Sequence, residues 1–339
     1  MIRVGIVCGG ISAEHEISCI SAGGILSAID RSKFEPVLIG ITKSGKWVLP
    51  PQSFKLEIEN GELPEISENL PQTSLSQIEV DILFPTLHGT YGEDGGFQKD
   101  AQAAGIKYVG SGVLASQNGM DKAAAKRIFA NHGLKTAPGI VVSKEVWRNT
   151  PEKIIDQGLA LGLPVFVKPS NSGSSRGTSK VKTETELSTA IDFAFEYDEK
   201  VLIETAINGR EIECAVFERD GVLEASPLGE IKIMGSHEFY DFEAKYLDGA
   251  TQLIIPAEVP ATDAKLIQDA AITAFRALDC AGLARVDFFY VDGSIIINEI
   301  NTMPGFTSTS MFPRMCQAAG ISYKELITLL IEGALKKRN

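Results

Sequence analysis

Positive charge is scarce in this chain of 339 residues. Thirty-two lysines and arginines stand against 44 aspartates and glutamates, a formal net charge of −12. A protein whose main partner is nucleic acid concentrates Lys and Arg, because its affinity begins with neutralising phosphates. That class is therefore set aside, although a small anionic ligand in a locally basic pocket is not. Cysteine is sparse as well. Cys8, Cys19, Cys214, Cys280 and Cys316 make an odd number, and no two have C-x-x-C spacing. They read as small buried apolar residues in a reducing cytosol, not as a zinc site. No apolar run approaches the ~18 residues of a membrane span. The opening "MIRVGIVCGG" is a strand running into glycines, without the basic segment, apolar run and cleavage site of a signal peptide. The expectation is a cytoplasmic protein with no membrane partner. Hydrophobic residues make up 44% and charged residues 22%, enough core for two or three domains at roughly 100–200 residues each.

What the chain does have is alternation. "RVGIVCGG" is a strand ending in a glycine turn, "AEHEISCISAGGILSAID" a helix, "EPVLIGIT" and "VDILFPTLHG" strands, and "GGFQKDAQAAG" a helix. Strands alternating with helices imply a parallel sheet covered by helices. Residues 51–78 are polar and rich in Pro, Glu and Ser, and are expected to be a poorly structured insertion. "MDKAAAKRIFANHGL" (120–134) opens a second unit with a helix. The strands "GIVVS", "PVFVKPS" and "KVLIET" follow, and Thr183 with Glu186 forms an S/T-x-x-E capping box. A third unit holds the strands "EIECAVF" and "EASPLGEIKI", an irregular segment over 234–250, a helix over 262–279 and a hairpin. The hairpin is "LARVDFFY-VDG-SIIINEIN", with an Asp-Gly turn between alternating apolar runs. Two helices close the chain, and no internal repeat is present.

Two constellations carry chemistry. The first is in the hairpin: Glu299 and Asn301 are two apart on a strand and share a face, and the turn can bring Asp287 to that face. Two carboxylates and an amide oxygen, with no clustered His or Cys, form a hard-oxygen set suited to Mg²⁺ or Mn²⁺. The second is "KPSNSGSSRG" (168–177), a lysine at a strand end followed by a loop of glycines and serines. A lysine beside a glycine-rich cradle is a recurrent phosphate device. The loop is no Walker A sequence, and "GGISAE" after the first strand lacks the G-x-G-x-x-G dinucleotide fingerprint. Taken alone, Lys168 and Lys122 each read as surface lysines.

Together these features resemble the ATP-grasp superfamily, and within it the D-alanine–D-alanine ligase family. The motifs "GGISAEHEIS", "LHGTYGEDG", "MDK", "KPSNSGSSRG", "EFYDFEAKY", "ARVDFF" and "NEINTMPGFTSTS" occur in that family's order and span nearly the whole chain. The resemblance implies a mixed α/β and α+β fold: an N-terminal Rossmann-like (pre-ATP-grasp) domain over 1–116, a central ATP-grasp subdomain over 117–206 and a C-terminal one over 207–339. It implies ligation of two D-alanines with ATP, two Mg²⁺ or Mn²⁺ ions and a homodimer. By the same resemblance, Asp287, Glu299 and Asn301 would hold the metals. Lys122 and Lys168 would hold the α- and β-phosphates, and the loop with Ser174 and Ser175 would close over the γ-phosphate. Glu204 would meet the adenine amino group, Ala206 and Ile207 would add backbone contacts, and Glu211 would take the ribose hydroxyls. Arg285 and the Gly305 N–H would stabilise the oxyanion. Glu14 would take the first ammonium, with His88 beside it. Lys245 and Ser310 would hold the second carboxylate, Lys245 also reaching the nucleotide. Met311 would shape the second subsite, and Glu14, Ser174 and Tyr246 would form a hydrogen-bonded link.

Arg176 departs from the family pattern, which more often has an aliphatic or aromatic residue in the phosphate loop. Met311 stands where leucine is frequent, and His15 is treated as structural. The rival readings are D-alanine–D-serine or D-alanine–D-lactate ligation on the same fold, a non-catalytic ATP-binding protein and a Rossmann oxidoreductase. Tyr246 and Met311 favour D-alanine as the second substrate.

Overall fold

β-Branched runs and helical stripes alternate from the N-terminus, and the chain folds them into a parallel sheet. The computed structural model describes residues 1–58, 61–233 and 251–336. In the first sheet β1 (Ile2–Gly9) pairs in parallel with β2 (Phe34–Ile41) and β4 (Ile82–Pro85), and β5 (Lys107–Tyr108) adds to β4. The short β3 (Trp47–Val48) closes the edge in the order β3-β2-β1-β4-β5. Helices α1 (His15–Ala28) and α2 (Gly96–Ala103) follow β1 and β4. Strands buried on both faces are nearly continuous apolar runs, as "GIVC" and "ILFP" are. The loops after β1 and β4 leave the carboxyl ends of adjacent parallel strands, where open α/β sheets bind ligands.

Among the described residues of 51–78, regular structure amounts to one short turn of 3₁₀ helix, Leu75–Gln77, and isolated bridge positions such as Gln72 opposite Val48. They are nevertheless packed: Leu56, Ile66 and Ile78 are buried. His15 fastens them. Its Nδ1–H donates to the Gly10 carbonyl, 2.7 Å, and its Nε2 accepts from the Ile66 N–H, 3.0 Å. A segment without periodicity can still be fixed by a few apolar anchors and one buried side chain.

Helices α3 (Val113–Met120) and α4 (Lys122–Asn131) lead to the second sheet, which is antiparallel. Its strands are β6 (Gly139–Ser143), β7 (Val165–Pro169), β8 (Ser179–Val181) and β9 (Lys200–Thr205), in the order β6-β9-β7-β8. Helices α5 (Lys144–Asn149), α6 (Pro151–Leu159) and α7 (Glu184–Ala194) lie in its connections, and the Thr183–Glu186 capping box starts α7.

The third sheet is built on β10 (Arg210–Arg219), which pairs with β11 (Val222–Ala225), β12 (Gly229–Ile233) and β14 (Leu283–Val291). β13 (Thr251–Ile254) pairs with β12, and β15 (Ser294–Asn301) with β14. "EASPLGEIKI", read as one strand, is thus split between β11 and β12. Asp292 and Gly293 turn the β14–β15 hairpin with φ of +46° and +82°, the left-handed pair that a tight hairpin needs. Helices α8 (Ala261–Ala277), α9 (Met311–Ala318) and α10 (Tyr323–Lys336) complete the fold.

Packing does not follow chain order. Ala125 and Phe129 of α4 enter the core under the third sheet with Phe275 and Ile297. Ile327, Leu330 and Ile331 of α10 share a core with Val4 and Ile6 of β1. Among the described residues, no helix is long and apolar enough to cross a membrane.

Candidate active site

The three sheets meet around a cavity of about 1110 Å³, and every described candidate residue lines it. That volume exceeds the ~300–1,000 Å³ of an ordinary single-ligand pocket, so there is room for more than one small molecule. Lys245 and Tyr246 lie outside the described residues.

The hairpin forms one wall. Register makes Asp287 the direct cross-strand partner of Glu299, and Arg285 that of Asn301, so strand alternation puts all four on one face. Asp287 accepts from Arg285 Nε at 2.7 Å and Nη2 at 2.8 Å, and from Asn301 Nδ2 at 3.0 Å. Arg285 Nε also lies 3.2 Å from Glu213 on the neighbouring β10. A planar fork gripped this way cannot swing. The donor set of Asp287, Glu299 and the Asn301 amide contains only hard oxygens, which fits Mg²⁺ or Mn²⁺. Among the described residues, no cluster of three His, Cys, Asp or Glu suited to a metal is found, so remaining ligands would come from the bound molecule.

The second wall is the loop after β7. Lys122 at the start of α4 donates to the Ser172 carbonyl at 2.8 Å and lies 3.2 Å from Glu299, bridging loop and hairpin. Ser174 and Ser175 have φ of +47° and +57°. Left-handed backbone at a residue other than glycine costs about 1 kcal/mol or more and clusters at functional sites. Arg176 turns outward, with its guanidinium 5.9 Å from the Tyr197 ring centre. Gly177 closes the loop at φ +72° against Tyr197 and Pro169.

Lys168, at the end of β7, is paired with Oε1 of Glu204, while Lys126 Nζ lies 2.9 Å from Oε2. Burial alone would raise the Glu204 carboxyl, but the charges of Lys168 and Lys126 outweigh it and lower the pKa to about 2. Each of its oxygens thus lies beside a lysine, and Oε2 has no hydrogen-bond partner among the described residues; a carboxylate with about four lone-pair sites keeps capacity to accept from another group. Ala206 donates its N–H to the Pro164 carbonyl, 3.0 Å. Beyond it, Ile207 and Glu211 line the same end of the cavity.

The third wall comes from the first sheet. Glu14 lies just before α1 and is 8% exposed. His88 follows β4; its Nδ1–H donates to the Met303 carbonyl, 3.1 Å, and among the described residues no partner meets Nε2. Burial, the largest influence, holds its pKa below the usual histidine range, so the ring is neutral. Gly305 and Ser310 border this end, and the Ser310 hydroxyl accepts from the Thr307 N–H at 3.1 Å. Met311 is buried against Gly229.

Three acidic or basic groups here escaped sequence reasoning. Glu93 lines the cavity and accepts from the Gly89 N–H at 2.6 Å. Burial first, and then the charge of Glu14, push its carboxyl up to about 8. Its sequence signal was the acidic pair Glu93–Asp94 of "LHGTYGEDG". Glu213 shares a strand face with Glu211, a period-two signal that was available. Lys126 had no local signal.

The chain matches two family models: D-ala D-ala ligase N-terminus over residues 3–111 and D-ala D-ala ligase C-terminus over 128–332. It is 46% identical to D-alanine–D-alanine ligases of Mycobacterium bovis and Mycolicibacterium gilvum, over 99% of this chain and 96% and 98% of theirs. Among solved structures it resembles the VanG D-Ala:D-Ser ligase of Enterococcus faecalis, with a TM-score of 0.86, 36% identity and 98% of each chain covered. It also resembles the D-alanine–D-alanine ligase of Coxiella burnetii, with a TM-score of 0.81, 34% identity and coverage of 99% of this chain and 95% of that one. From the two matched models and the near full-length relatives, the chain belongs to the D-alanine–D-alanine ligase family.

Proposed function

We propose that the protein joins two D-alanines into D-alanyl-D-alanine at the expense of ATP, for peptidoglycan precursor synthesis. The observation that carries this reading is the convergence of the described candidate residues, drawn from three sheets, on one cavity in a chain of this family. A free carboxylate is a poor electrophile. Its oxygen attacks the γ-phosphorus, the bond to ADP breaks, and an acyl phosphate forms. The amine of the second D-alanine then attacks the acyl carbon, loses a proton, and expels phosphate.

Each wall would contribute separately. Glu14 would hold the first ammonium, and neutral His88 would accept a hydrogen from it through Nε2. Lys122 and Lys168 would neutralise the α- and β-phosphates, and the backbone N–H groups around Ser174 and Ser175 would cover the γ-phosphate. Asp287, Glu299 and Asn301 would hold two Mg²⁺ or Mn²⁺ ions, which supply charge neutralisation on the phosphates when bound. Arg285, fixed by Asp287 and Glu213, would stabilise the acyl phosphate and then the oxyanion, with the Gly305 N–H as second donor. Glu204 would meet the adenine amino group while serving as counter-ion to the lysines. The base would also meet the Ala206 carbonyl and the Ile207 backbone, and the ribose would meet Glu211. Ser310, with Lys245, would take the second carboxylate, and Tyr246 would complete the link to Ser174 and Glu14. We place the domain boundaries near 116/117 and 206/207, and propose a cytoplasmic homodimer.

D-Serine as second substrate is the competing reading, since VanG is among the structural relatives. Met311 favours D-alanine: a thioether gives a serine hydroxyl no strong partner, and an unpaired buried hydroxyl costs ~1–3 kcal/mol. With ATP and equal D-alanine, D-serine and D-lactate, mass spectrometry should find mostly D-alanyl-D-alanine. A majority of D-alanyl-D-serine or D-alanyl-D-lactate would refute the substrate choice, and no phosphate release with any acceptor would refute the ligase reading.

A further inference from the structure

Lys126 is a buried charged group beside the cavity that the mechanism above does not use. It lies one helical turn beyond Lys122 on α4, so the two ammonium groups project to the same side. Lys122 lines the cavity, whereas Lys126 is only 8% exposed and stands behind the wall. Its ammonium lies 2.9 Å from Oε2 of Glu204, whose other oxygen holds Lys168. Glu204 itself is 2% exposed.

Two consequences follow from one carboxylate between two ammonium groups. The first is orientation. With an ammonium group close to each oxygen, charge attraction disfavours rotation of the Glu204 carboxylate, although the Lys126 contact is an ion pair without hydrogen-bond geometry, and the Lys168 ammonium is held where it borders the cavity. The second is charge. A buried Lys168–Glu204 pair alone would be neutral and would attract an anion weakly. With Lys126 the cluster carries one positive charge in excess, and a buried excess charge needs a partner. A nucleotide phosphate at Lys168 would supply it. The Lys126 pKa is displaced in the corresponding direction: burial first, together with the like charge of Lys168, lowers it against the pull of Glu204.

We propose that Lys126 is a positioning residue for the nucleotide, acting through Glu204 to keep Lys168 fixed and the cluster net positive. This rests on the reading that Lys168 binds a phosphate of ATP. The test is steady-state kinetics of the full-length enzyme, with ATP and D-alanine varied separately. Lys126→Met keeps the length of the side chain and removes its charge. It should raise the KM for ATP about tenfold while moving the KM for D-alanine less than twofold. Lys126→Arg should restore the KM for ATP to within about threefold of wild type, because a positive donor again meets Oε2. In Lys126→Met/Glu204→Gln the carboxylate no longer neutralises Lys168, so the KM for ATP should fall at least threefold from that of the single variant. If Lys126→Met does not fold, Lys126→Gln retains an N–H donor without the charge, and the same tenfold rise is expected. An unchanged KM for ATP in the neutral variants would overturn the proposal, as would equal shifts for both substrates or no recovery in the double variant. Wild-type enzyme that consumed no ATP with D-alanine would instead overturn the ligase reading itself.

Discussion

The hairpin wall and the phosphate-loop wall face each other across one cavity but are held by different means. The hairpin residues are fixed by register: Asp287 sits opposite Glu299, Arg285 opposite Asn301, and side-chain hydrogen bonds tie Asp287 to both Arg285 and Asn301. The loop is fixed by its own backbone. Ser174, Ser175 and Gly177 adopt left-handed φ, and the Arg176 N–H returns to the Gly173 carbonyl at 3.1 Å. A sheet positions charge to a fraction of an ångström and moves little, whereas a loop presents backbone donors at some conformational cost and can close on a ligand. The division suits a reaction in which one side must hold the reacting groups still and the other must admit and cover the nucleotide.

The hairpin side should give the largest effect when broken. Glu299→Gln removes one carboxylate charge with little change of shape. Turnover measured by phosphate release at saturating Mg²⁺ should fall at least ~100-fold, roughly 3 kcal/mol of transition-state stabilisation, with little change in melting temperature. Turnover within tenfold of wild type would show that the hairpin is not the wall that fixes the chemistry.

The loop side should respond in KM and less in kcat. An alanine Cβ at Gly177 would meet Tyr197 Cδ2 at 2.6 Å and Pro169 Cγ at 2.7 Å, on a backbone at φ +72°. Gly177→Ala should therefore displace the loop and raise the KM for ATP about fivefold to tenfold, on the order of 1 kcal/mol. A fall in kcat with an unchanged KM would erase the distinction between the walls.

Glu93, on the first-sheet side between them, bears on stability and not on kinetics. Its carboxyl is raised from the ordinary 4.5 to about 8. Below about pH 4.5 it is protonated in both folded and unfolded chains. Between there and about pH 8 the unfolded chain has released the proton and the folded protein has not. Stability present at low pH is thus lost progressively as pH rises through the folded value. Glu93→Gln should flatten that decline between pH 5 and 8 in thermal melts of the ligand-free protein. An unaltered pH profile would mean that Glu93 is not held protonated by its surroundings.

How much of this could be read beforehand depended on the range of the interaction. The hairpin was legible because an Asp-Gly turn and period-two alternation are local, and they bring Asp287, Glu299 and Asn301 to one face. The loop was legible through its glycines and serines. Lys126 was not, because its partner Glu204 is far along the chain and only the tertiary fold brings the two side chains together. Residues 51–78 misled for the same reason: their order comes from His15 and from isolated buried residues such as Ile66, not from any repeat of their own. The double engagement of Glu204 was equally invisible, since sequence can propose a carboxylate at a strand end but not count the lysines that reach it.

The place of α10 bears on how the protein is made. Ile327, Leu330 and Ile331 fill the core beneath β1, which is synthesised long before them, and Tyr323 donates its hydroxyl to the Phe306 carbonyl at 2.7 Å. A ribosome therefore releases the opening sheet long before the helix that covers it exists. Until α10 emerges, Val4, Ile6 and their neighbours have an unfilled apolar face. A nascent chain stalled before residue 323 should be protease-sensitive in the first sheet, which becomes fully protected only once α10 has emerged and packed.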